Sequence, residues 1–419
     1  MLDIKLHNKT LSINLDYYII LLMFLLIPID MLNGVLITKV VSLPITVGQA
    51  YKLFIIFLIL FRLFTKPLFV NFFFLLISLL FIPTIYQLFK TYQFSIITKD
   101  IIKIFRYTTP ILSFVFFATI YKSNNVFLHK KINVLVAFSF YLTCASILLK
   151  YVGFGYPMYN YGNIGSKGFF YAGNEISVLL LIMSAFLAKN LWVKNFKINY
   201  FFTFLLSFIT ALGIGSKTAL FGILLIFFLI PIKRISLKTS LNKFIFASIA
   251  ILILIPSLLV VSWEYIKRTE LYIRVVYFYE KLDFITFLLS NRNTFLIDAV
   301  QVYINDYNWL EKLIGVGQST FEAKNGSSII EIDFIDIFFA FGFIGLLIFI
   351  GLIIYLWKQS KRLAKSPKFN YASFVNLMLF ILVAISSTAG HVFSSGLAAI
   401  FIGLTFAIMF KKNIYNETN

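Results

Sequence analysis

Three positive charges follow one another along the segment SIITKDIIKIFRYTTP at helical spacing. Lys99, Lys103 and Arg106 stand at i, i+4 and i+7, so a helix would place them on one face. Charges within a membrane-embedded segment are costly unless they face a cavity, a partner or an anionic ligand. We expect a lipid pyrophosphate as that ligand, with Arg106 as the deepest contact. The alternative is that these side chains reach toward lipid headgroups and that Asp100 pairs with them.

A second group of charges lies in residues 263–332, the only long polar stretch, which holds nine of the 17 acidic residues. Arg292 stands immediately before residues 293–304, which have the pattern of an amphipathic helix, and Arg274 lies in the same aromatic stretch. Guanidinium groups bind phosphate oxygens in a bidentate manner. The two arginines are therefore candidate phosphate ligands, unless this stretch is an ordinary solvated loop with interfacial aromatic residues.

Three acids and one histidine are the candidates for proton transfer. Glu331, Asp333 and Asp336 stand at the start of an apolar segment, where a helix dipole stabilises negative charge. They are also candidates for a general base or for a ligand of a sugar hydroxyl. His391, in SSTAGHVFSSG, is a candidate base or phosphate ligand, the alternative being a packed, hydrogen-bonded histidine.

Two glycine-rich stretches carry further polar groups at the start of apolar segments. GSKGFFYAGNEIS contains Asn174 and Glu175, and GIGSKTALFG contains Lys217. Small residues allow close helix packing, but these polar side chains are also candidate substrate ligands. Glycine-rich phosphate loops, HExxH, CxxC and GxSxG are absent. With one Cys and three scattered His, we expect neither a metal site nor a cofactor, so the energy of any reaction must arrive with the substrate.

The composition indicates which elements position these groups. Of 419 residues, 60% are hydrophobic, 19% aromatic and only 13% charged, against about 25% charged in a typical soluble domain. Apolar segments of about 20 residues, long enough to cross a bilayer, recur along nearly the whole chain. The sequence therefore predicts an all-α polytopic membrane protein. Its net charge of +20 lies mostly in short loops, so nucleic acid is not expected as a partner.

We predict about twelve transmembrane helices, with ends uncertain by several residues. They cover residues 16–36, 45–64, 68–89, 100–121, 132–151, 174–192, 198–214, 217–233, 244–263, 333–357, 371–387 and 391–410. The fourth, sixth and eighth are short or carry charge. The first apolar run follows a polar start and has no cleavage site typical of a signal peptide, so we expect it to remain as an anchor.

The distribution of charge predicts the orientation of these spans. With a cytoplasmic N-terminus, 21 of the 37 Lys and Arg fall on the inner side, and the five inner loops contain no Asp or Glu. This asymmetry is typical of cytoplasmic loops. The prediction is nine spans in residues 1–262, one long extracytoplasmic loop at 263–332, and three spans in 333–419, with both termini cytoplasmic.

Four of these motifs, in this order, resemble the bacterial O-antigen polymerase/ligase superfamily (Wzy and WaaL types) over about residues 160–390. FFYAGNEIS resembles an F-x-x-x-N motif at the start of a span. GIGSKTALFG resembles an SR(T/G)-A motif with Lys217 in the place of Arg. LLSNRNTFLIDAVQVYINDYNWLEKLIGVG resembles an SGR motif, a helix and GxG, with Asn291 where Gly is common. EIDFIDIFFAFGFIG resembles the acidic start of the span after the large outer loop.

The resemblance implies a GT-C-like helical fold and a metal-free glycosyltransferase of the bacterial plasma membrane. Its donor is an undecaprenyl-pyrophosphate-linked glycan on the outer face. Polymerases, which build O-antigen, capsule or exopolysaccharide, transfer it to another lipid-linked repeat unit, and ligases transfer it to a different acceptor. Membrane lipids, a flippase and a chain-length regulator are the partners that such a role implies. Outer arginines are expected to hold the pyrophosphate.

Two departures from the family pattern bear on the function. Ligases need a His in the large outer loop, whereas the only outer His here is His391, which favours a polymerase. Lys217 cannot form the bidentate contact of an Arg. In this interpretation Arg292, Arg106 and Lys217 stabilise the departing pyrophosphate. Asp333, Glu331 or His391 then activates the acceptor hydroxyl.

Two other classes of protein share this topology. A lipid-linked oligosaccharide flippase would also have twelve to fourteen spans with buried cations, but such carriers usually have short outer loops. A cell-wall polymerase of the shape, elongation and division type would share the topology, but the motifs of that type are not found in this sequence. The long outer loop therefore favours the enzyme over the transporter.

Overall fold

The computed structural model describes residues 14–39, 45–159, 163–231, 267, 270–326, 329–388 and 390–412. In its first part the chain forms eight helices. They are α1 (Asn14–Lys39), α2 (Val47–Leu63), α3 (Pro67–Thr91), α4 (Ser95–Lys122), α5 (Val126–Leu148), α6 (Gly173–Val193), α7 (Lys197–Ile214) and α8 (Lys217–Leu229).

The second part begins with five helices that precede the next long apolar helix. They are α9 (Glu270–Lys281), α10 (Phe284–Leu289), α11 (Arg292–Asp306), α12 (Trp309–Ile314) and α13 (Gln318–Lys324). Three apolar helices follow, namely α14 (Asp333–Ala364), α15 (Ala372–Thr388) and α16 (Ala399–Ala407).

The described helices confirm an all-α multi-pass membrane protein. Seven of them are long and apolar enough to cross a membrane, namely α1, α3, α4, α5, α6, α7 and α14, while α8, α15 and α16 are shorter apolar helices. Every predicted span within the described ranges coincides with one of the helices. The predicted span at 244–263 lies outside the described residues, so the number twelve stays a prediction.

The last predicted span starts later in the structure than the sequence indicated. Residues 391–398 form a loop, and the final helix begins only at Ala399. We name residues 390–398 the 390s loop. Its backbone N–H groups are bound by carboxylates from other helices, as described below, and this is the physical reason for the late start of α16.

The core of the bundle contains α4 and α16, which pack closely against each other. Gly403 of α16 lies against Pro110 and Ser113 of α4, and a side chain at position 403 would collide with both. Small residues at such a crossing allow two backbones to approach. Because α4 is fixed in this way, the polar residues of its outer half have a defined position.

α14 is kinked inside the membrane-spanning region, at Gly342, which has φ 65° and ψ −168°. The kink contacts Gly315 and Gly317 of the predicted outer loop (residues 263–332, called the outer loop below), and the Gly317 N–H donates to the Ala340 carbonyl at 2.8 Å. A side chain at position 315 or 342 would collide with the opposite backbone. The GVG motif therefore docks the outer loop onto a broken span.

A buried carboxylate gives the outer loop a second attachment. Glu311 of α12 is fully buried, and it accepts hydrogen bonds from Gln87 Nε2 at 2.7 Å and Lys90 Nζ at 2.8 Å. Both partners lie on α3. Burying an ionised carboxylate is favourable only with such partners, so α12 is held firmly against the outer end of α3.

The outer half of α4 provides a third attachment. Asp100 is buried and accepts from the Ser319 N–H at 2.7 Å and from Thr84 Oγ1 at 2.7 Å. Lys103 forms an ion pair with Glu322 at 2.7 Å. The predicted partner of the cations, Asp100, thus binds the outer loop instead of a lysine.

The orientation can be tested by cysteine labelling of intact cells with an impermeant reagent, on a Cys144→Ala background. We expect labelling of Asn305→Cys, which is exposed in α11, and none of Lys365→Cys, which is exposed beyond the far end of α14. The reason is the predicted placement of residues 263–332 outside and 358–370 inside. Labelling of Lys365→Cys with none of Asn305→Cys would reverse the orientation.

Candidate functional site

Glu331, just before α14, binds the guanidinium of Arg292 in two ways. Arg292 Nη2 lies 2.5 Å from Glu331 Oε2, and Nε donates to the Glu331 carbonyl at 3.2 Å. Nη1 donates to the Leu289 carbonyl at 3.2 Å. The tight turn before α11 aims this side chain, because Ser290 and Asn291 have positive φ values of 53° and 67°. Asn tolerates this left-handed conformation better than most residues do, which explains why it can replace a glycine there.

The other carboxylate oxygen of Glu331 faces two further polar groups. His391 Nε2 lies 3.3 Å from Oε1, and Asn174 Nδ2 lies 3.4 Å from it. Gly390, with φ 57°, packs so closely on the Glu331 backbone that any side chain would collide with it. Glu331 and His391 themselves have positive φ values of 64° and 54°. Such left-handed residues cluster at functional sites when the surrounding structure holds them.

The pKa values of Glu331 and His391 shift in opposite directions. Burial raises the pKa of the Glu331 carboxyl, but the hydrogen bond and charge of His391 and the charge of Arg292 outweigh it, so the pKa falls below its ordinary value. Burial lowers the pKa of His391, but the hydrogen bond with Glu331 and the charges of Glu331, Asp333 and Glu175 raise it above its ordinary value. The site therefore favours an ionised Glu331 between the Arg292 guanidinium and the protonated form of His391.

This ion pair predicts a pH dependence of stability. A raised pKa means that the His391 contribution is complete below about pH 6.5 and is lost as pH rises through its folded value. A lowered pKa means that the Glu331 contribution is complete above about pH 4.3 and is lost as pH falls through its folded value.

We expect the difference in unfolding temperature between wild type and His391→Gln to be largest between these two limits. Thermal unfolding of the purified proteins from pH 4 to 9 measures it. A difference that stays constant over the whole range would contradict the ion pair.

Asp333, the first residue of α14, has both carboxylate oxygens occupied within the protein. It is fully buried. Its Oδ2 accepts from the N–H groups of Val392 and Phe393 at 2.9 and 3.0 Å and from Ser386 Oγ at 3.0 Å, and Oδ1 accepts from Ser394 Oγ at 2.9 Å. This geometry favours a positioning role for Asp333, which holds the 390s loop, over the role of a base predicted from the sequence.

Glu175, on the first turn of α6, holds the other end of the 390s loop. Its Oε2 accepts from the Leu397 N–H at 2.8 Å and from Ser395 Oγ at 3.0 Å. Its Oε1 faces Arg106 Nη1 at 3.8 Å. The buried Asp333 and the partly buried Glu175, which belong to different helices, thus shape the loop that presents His391.

Asp336 lies one turn after Asp333 and is also buried. Its Oδ1 accepts the Ile330 N–H at 3.0 Å. The carboxylate therefore braces the backbone immediately before Glu331. Like Asp333, Asp336 binds the backbone that surrounds the Glu331 centre.

Two predicted ligands, Lys103 and Lys217, lie apart from the Glu331 centre. Lys103 is paired with Glu322, as described above. Lys217 Nζ donates to the Phe287 carbonyl at 3.1 Å and lies 4.0 Å above the Phe287 ring, so it fixes α10 against the start of α8. The side chain of Arg274 lies outside the described part of the structure. Neither Lys103 nor Lys217 is brought to Glu331.

Arg106 faces a small cavity with two residues that the sequence analysis missed. The cavity, of about 60 Å³, is lined by Arg106, Lys52, Gln49 and the backbone of Gly396. Lys52 forms an ion pair at 2.7 Å with Asp30 of α1. The only sequence signal for Lys52 was a lone charge at the start of an otherwise apolar segment.

A large apolar groove lies on the opposite side of α4 from this cavity. It has a volume of about 620 Å³ and is bounded by α3, α4, α14 and α16. Tyr107, Ile337 and Phe393 line it. Phe393 is held by Asp333 and stands two residues from His391, so the groove extends up to the loop that presents the charged centre.

A protein-family model described as "O-antigen ligase like membrane protein" matches residues 277–412. The match supports the assignment of residues 277–412 to the O-antigen ligase/polymerase superfamily. This O-antigen ligase-like region is about a third of the chain and contains Arg292, Glu331, Asp333 and His391, whereas Arg106 and Glu175 precede it. The match supports a membrane glycan ligase or polymerase role, carried out by a glycosyltransferase-like enzyme. No curated protein and no solved structure matched the chain.

Proposed function

We propose that the protein is a polysaccharide polymerase. It transfers glycan from an undecaprenyl-pyrophosphate-linked donor to a sugar hydroxyl on the outer face of the bacterial plasma membrane. The observation that carries this proposal is the convergence of Arg292 and His391 on Glu331. This arrangement places two cations that can bind a pyrophosphate next to a carboxylate that can accept a proton.

The apolar groove supports a lipid-linked donor. Its walls are aromatic and aliphatic side chains such as Leu76, Phe114 and Phe349, and a polyprenyl chain has no polar group to satisfy along its length. With the chain in this groove, the pyrophosphate would reach the outer end of α14. There it would meet Arg292 and His391, which lie close to the groove's upper boundary at Phe393.

The reaction that we propose is a direct displacement at C1 of the donor glycan. The acceptor oxygen forms a bond to C1, the bond between C1 and the phosphate oxygen breaks, and undecaprenyl pyrophosphate leaves with both bonding electrons. Arg292 and protonated His391 stabilise the charge of the leaving group, as preorganised cations do in a site shielded from water. The hydroxyl proton passes to Glu331.

Glu331 is a better base candidate than Asp333 on geometric grounds. Asp333 uses both oxygens within the protein. Glu331 Oε1 has only the two long contacts, at 3.3 Å to His391 and 3.4 Å to Asn174, so a substrate hydroxyl can take their place within hydrogen-bond reach. When the pyrophosphate binds the two cations, Glu331 loses the charges that lower its pKa and becomes a stronger base.

A polymerase is favoured over a ligase because the only His on the predicted outer side, His391, lies between the last two spans. A ligase that joins the glycan to a different acceptor is the alternative within the superfamily. In our proposal both termini are cytoplasmic, the loop at 263–332 faces outward, and a flippase and a chain-length regulator act with the protein.

The proposal can be tested with the full chain reconstituted in phospholipid vesicles. The substrate is the lipid-linked oligosaccharide extracted from cells of the source organism that lack this protein. We expect longer lipid-linked glycans and an equal amount of released undecaprenyl pyrophosphate, measured by gel and mass spectrometry. Movement of the oligosaccharide across the bilayer without a change in glycan length would instead indicate a transporter. Release of the carrier with transfer only to an acceptor that is not lipid-linked oligosaccharide would indicate a ligase.

A further inference from the structure

The cavity at Arg106 lies on the other side of α4 from the donor groove. Its wall consists of one face of α2, the Arg106 face of α4 and the start of α16. The donor groove uses the opposite face of α4, which carries Tyr107 and Ile111. Two separate openings therefore flank one helix, and the 390s loop passes above it from Phe393 on one side to Gly396 on the other.

The cations at this cavity are only partly neutralised. The side chain of Arg106 is 32% exposed, and Glu175 lies 3.8 Å from its guanidinium, which is beyond ordinary hydrogen-bond length. Within the described residues it has no hydrogen bond to a protein acceptor. Lys52 Nζ is paired with Asp30, but its side chain remains 20% exposed.

A neutral donor completes the polar part of this cavity. The Gln49 side chain accepts the Thr46 N–H through Oε1 at 3.0 Å, in the capping box that begins α2. Its amide nitrogen is therefore available to a ligand. The Gly396 backbone lies beside Arg106, and a Cβ at this position would be 3.5 Å from Arg106 Nε and 3.7 Å from Glu175 Oε2.

The deeper part of the cavity is apolar. Leu53 and Ile56 of α2, Phe105 of α4 and Ile400 of α16 form it. Cations at the outer end and aliphatic or aromatic side chains toward the middle of the membrane match a lipid phosphate, with its head between Arg106 and Lys52.

We infer that this cavity binds a second carrier pyrophosphate, that of the acceptor. The inference rests on the proposed function, because a polymerase joins two substrates that carry the same headgroup and lipid. The donor pyrophosphate lies at Arg292 and His391, and the acceptor pyrophosphate lies at Arg106 and Lys52. Glu175 lies between these two groups of cations and separates them before substrate binds.

The stoichiometry of carrier binding tests the inference. The probe is undecaprenyl pyrophosphate without sugar, titrated into the purified full-length protein in detergent and counted by native mass spectrometry. We expect two molecules per wild-type chain and one for Arg292→Ala. For Arg106→Gln combined with Lys52→Met, we expect the affinity for one of the two molecules to fall by about tenfold or more. This is the effect of losing one charged hydrogen bond. Undecaprenol, which lacks the headgroup, measures non-specific lipid binding.

Two further variants separate binding from folding. Lys99→Met removes an exposed cation from the same helix as Arg106 and should keep both molecules. Because Lys52→Met leaves the buried Asp30 unpaired, Asp30→Asn combined with Lys52→Met provides a neutral pair, and it should lose the same molecule.

The outcomes distinguish this inference from the proposed function. If the wild-type chain binds one molecule, and both the Arg292 and the Arg106 variants lose it, then the protein has a single shared site. This outcome would overturn the inference of a second site but not the proposed function. Two molecules that both survive the Arg106 and Lys52 changes would also overturn that inference. No headgroup-dependent binding at all would overturn the second site and the proposed function together.

Discussion

Arg292→Ala is expected to abolish polymer formation, with a loss of at least about 10²–10³-fold, the effect of removing one preorganised donor at a developing anion. The physical reason is that Glu331 and the Leu289 carbonyl already hold the Arg292 guanidinium in place at the proposed pyrophosphate site. Arg292→Lys should recover little, because a point charge cannot replace the bidentate fork. Glycan ladders from membranes at matched protein levels measure the effect.

The matched control for this change is Arg362→Ala. Arg362 is an exposed arginine in the last turn of α14, at the predicted cytoplasmic end, so its removal should leave the ladder unchanged. Arg292→Ala also removes a partner of Glu331, and thermal unfolding of the purified variant shows whether the fold survives. A full-length ladder from a folded Arg292→Ala protein would remove this residue from the reaction.

Glu331→Gln and Asp333→Asn are both expected to stop polymerisation, but for different reasons. Glu331→Gln removes the proposed base and should lower the unfolding temperature less than Asp333→Asn does, because Arg292 keeps the Glu331 and Leu289 carbonyls as acceptors. Asp333→Asn leaves buried N–H groups of the 390s loop without their charged acceptor, which we expect to destabilise the protein by about 2–3 kcal/mol.

The comparison of activity with thermal unfolding separates the two roles. For Glu331→Gln we expect lost activity with a transition temperature that falls less than in Asp333→Asn. For Asp333→Asn we expect lost activity with a transition at clearly lower temperature. An Asp333→Asn protein that is inactive but as stable as wild type would restore Asp333 as a candidate base, and an active Glu331→Gln protein would exclude Glu331.

The sequence was most informative where the bilayer itself dictates the pattern. Apolar segments must be helical and long enough to cross the lipid, so the helices could be predicted from composition alone. The expectation that Arg292, Glu331 and His391 share one side of the membrane followed from the same reasoning, and the three residues lie in contact. The coincidence of all three in one centre depends on the turns at Asn291 and Gly390, which only the folded chain reveals.

The sequence was least informative where one residue binds a distant backbone. Asp333 looked like a free carboxylate because nothing in EIDFIDIFFAFG shows that the 390s loop lies against it. Lys103 was grouped with Arg106 by helical spacing, but Glu322 of the outer loop pairs with it. Lys52 was missed because its partner, Asp30, lies on another helix and a single charge in an apolar segment has no periodicity.

The break at Gly342 has a consequence for how the protein is made. The first turns of α14 depend on the outer loop for a partner, since the Ala340 carbonyl accepts the Gly317 N–H at 2.8 Å and the Phe339 carbonyl accepts the Tyr307 hydroxyl at 3.3 Å. A backbone carbonyl inside lipid needs such a partner. We therefore expect the outer segment to be translocated and folded before residues 333–341 reach their final depth. Insertion of this span into the membrane would then depend on the prior folding of the outer segment. Partitioning of the apolar helix into lipid would not be sufficient by itself.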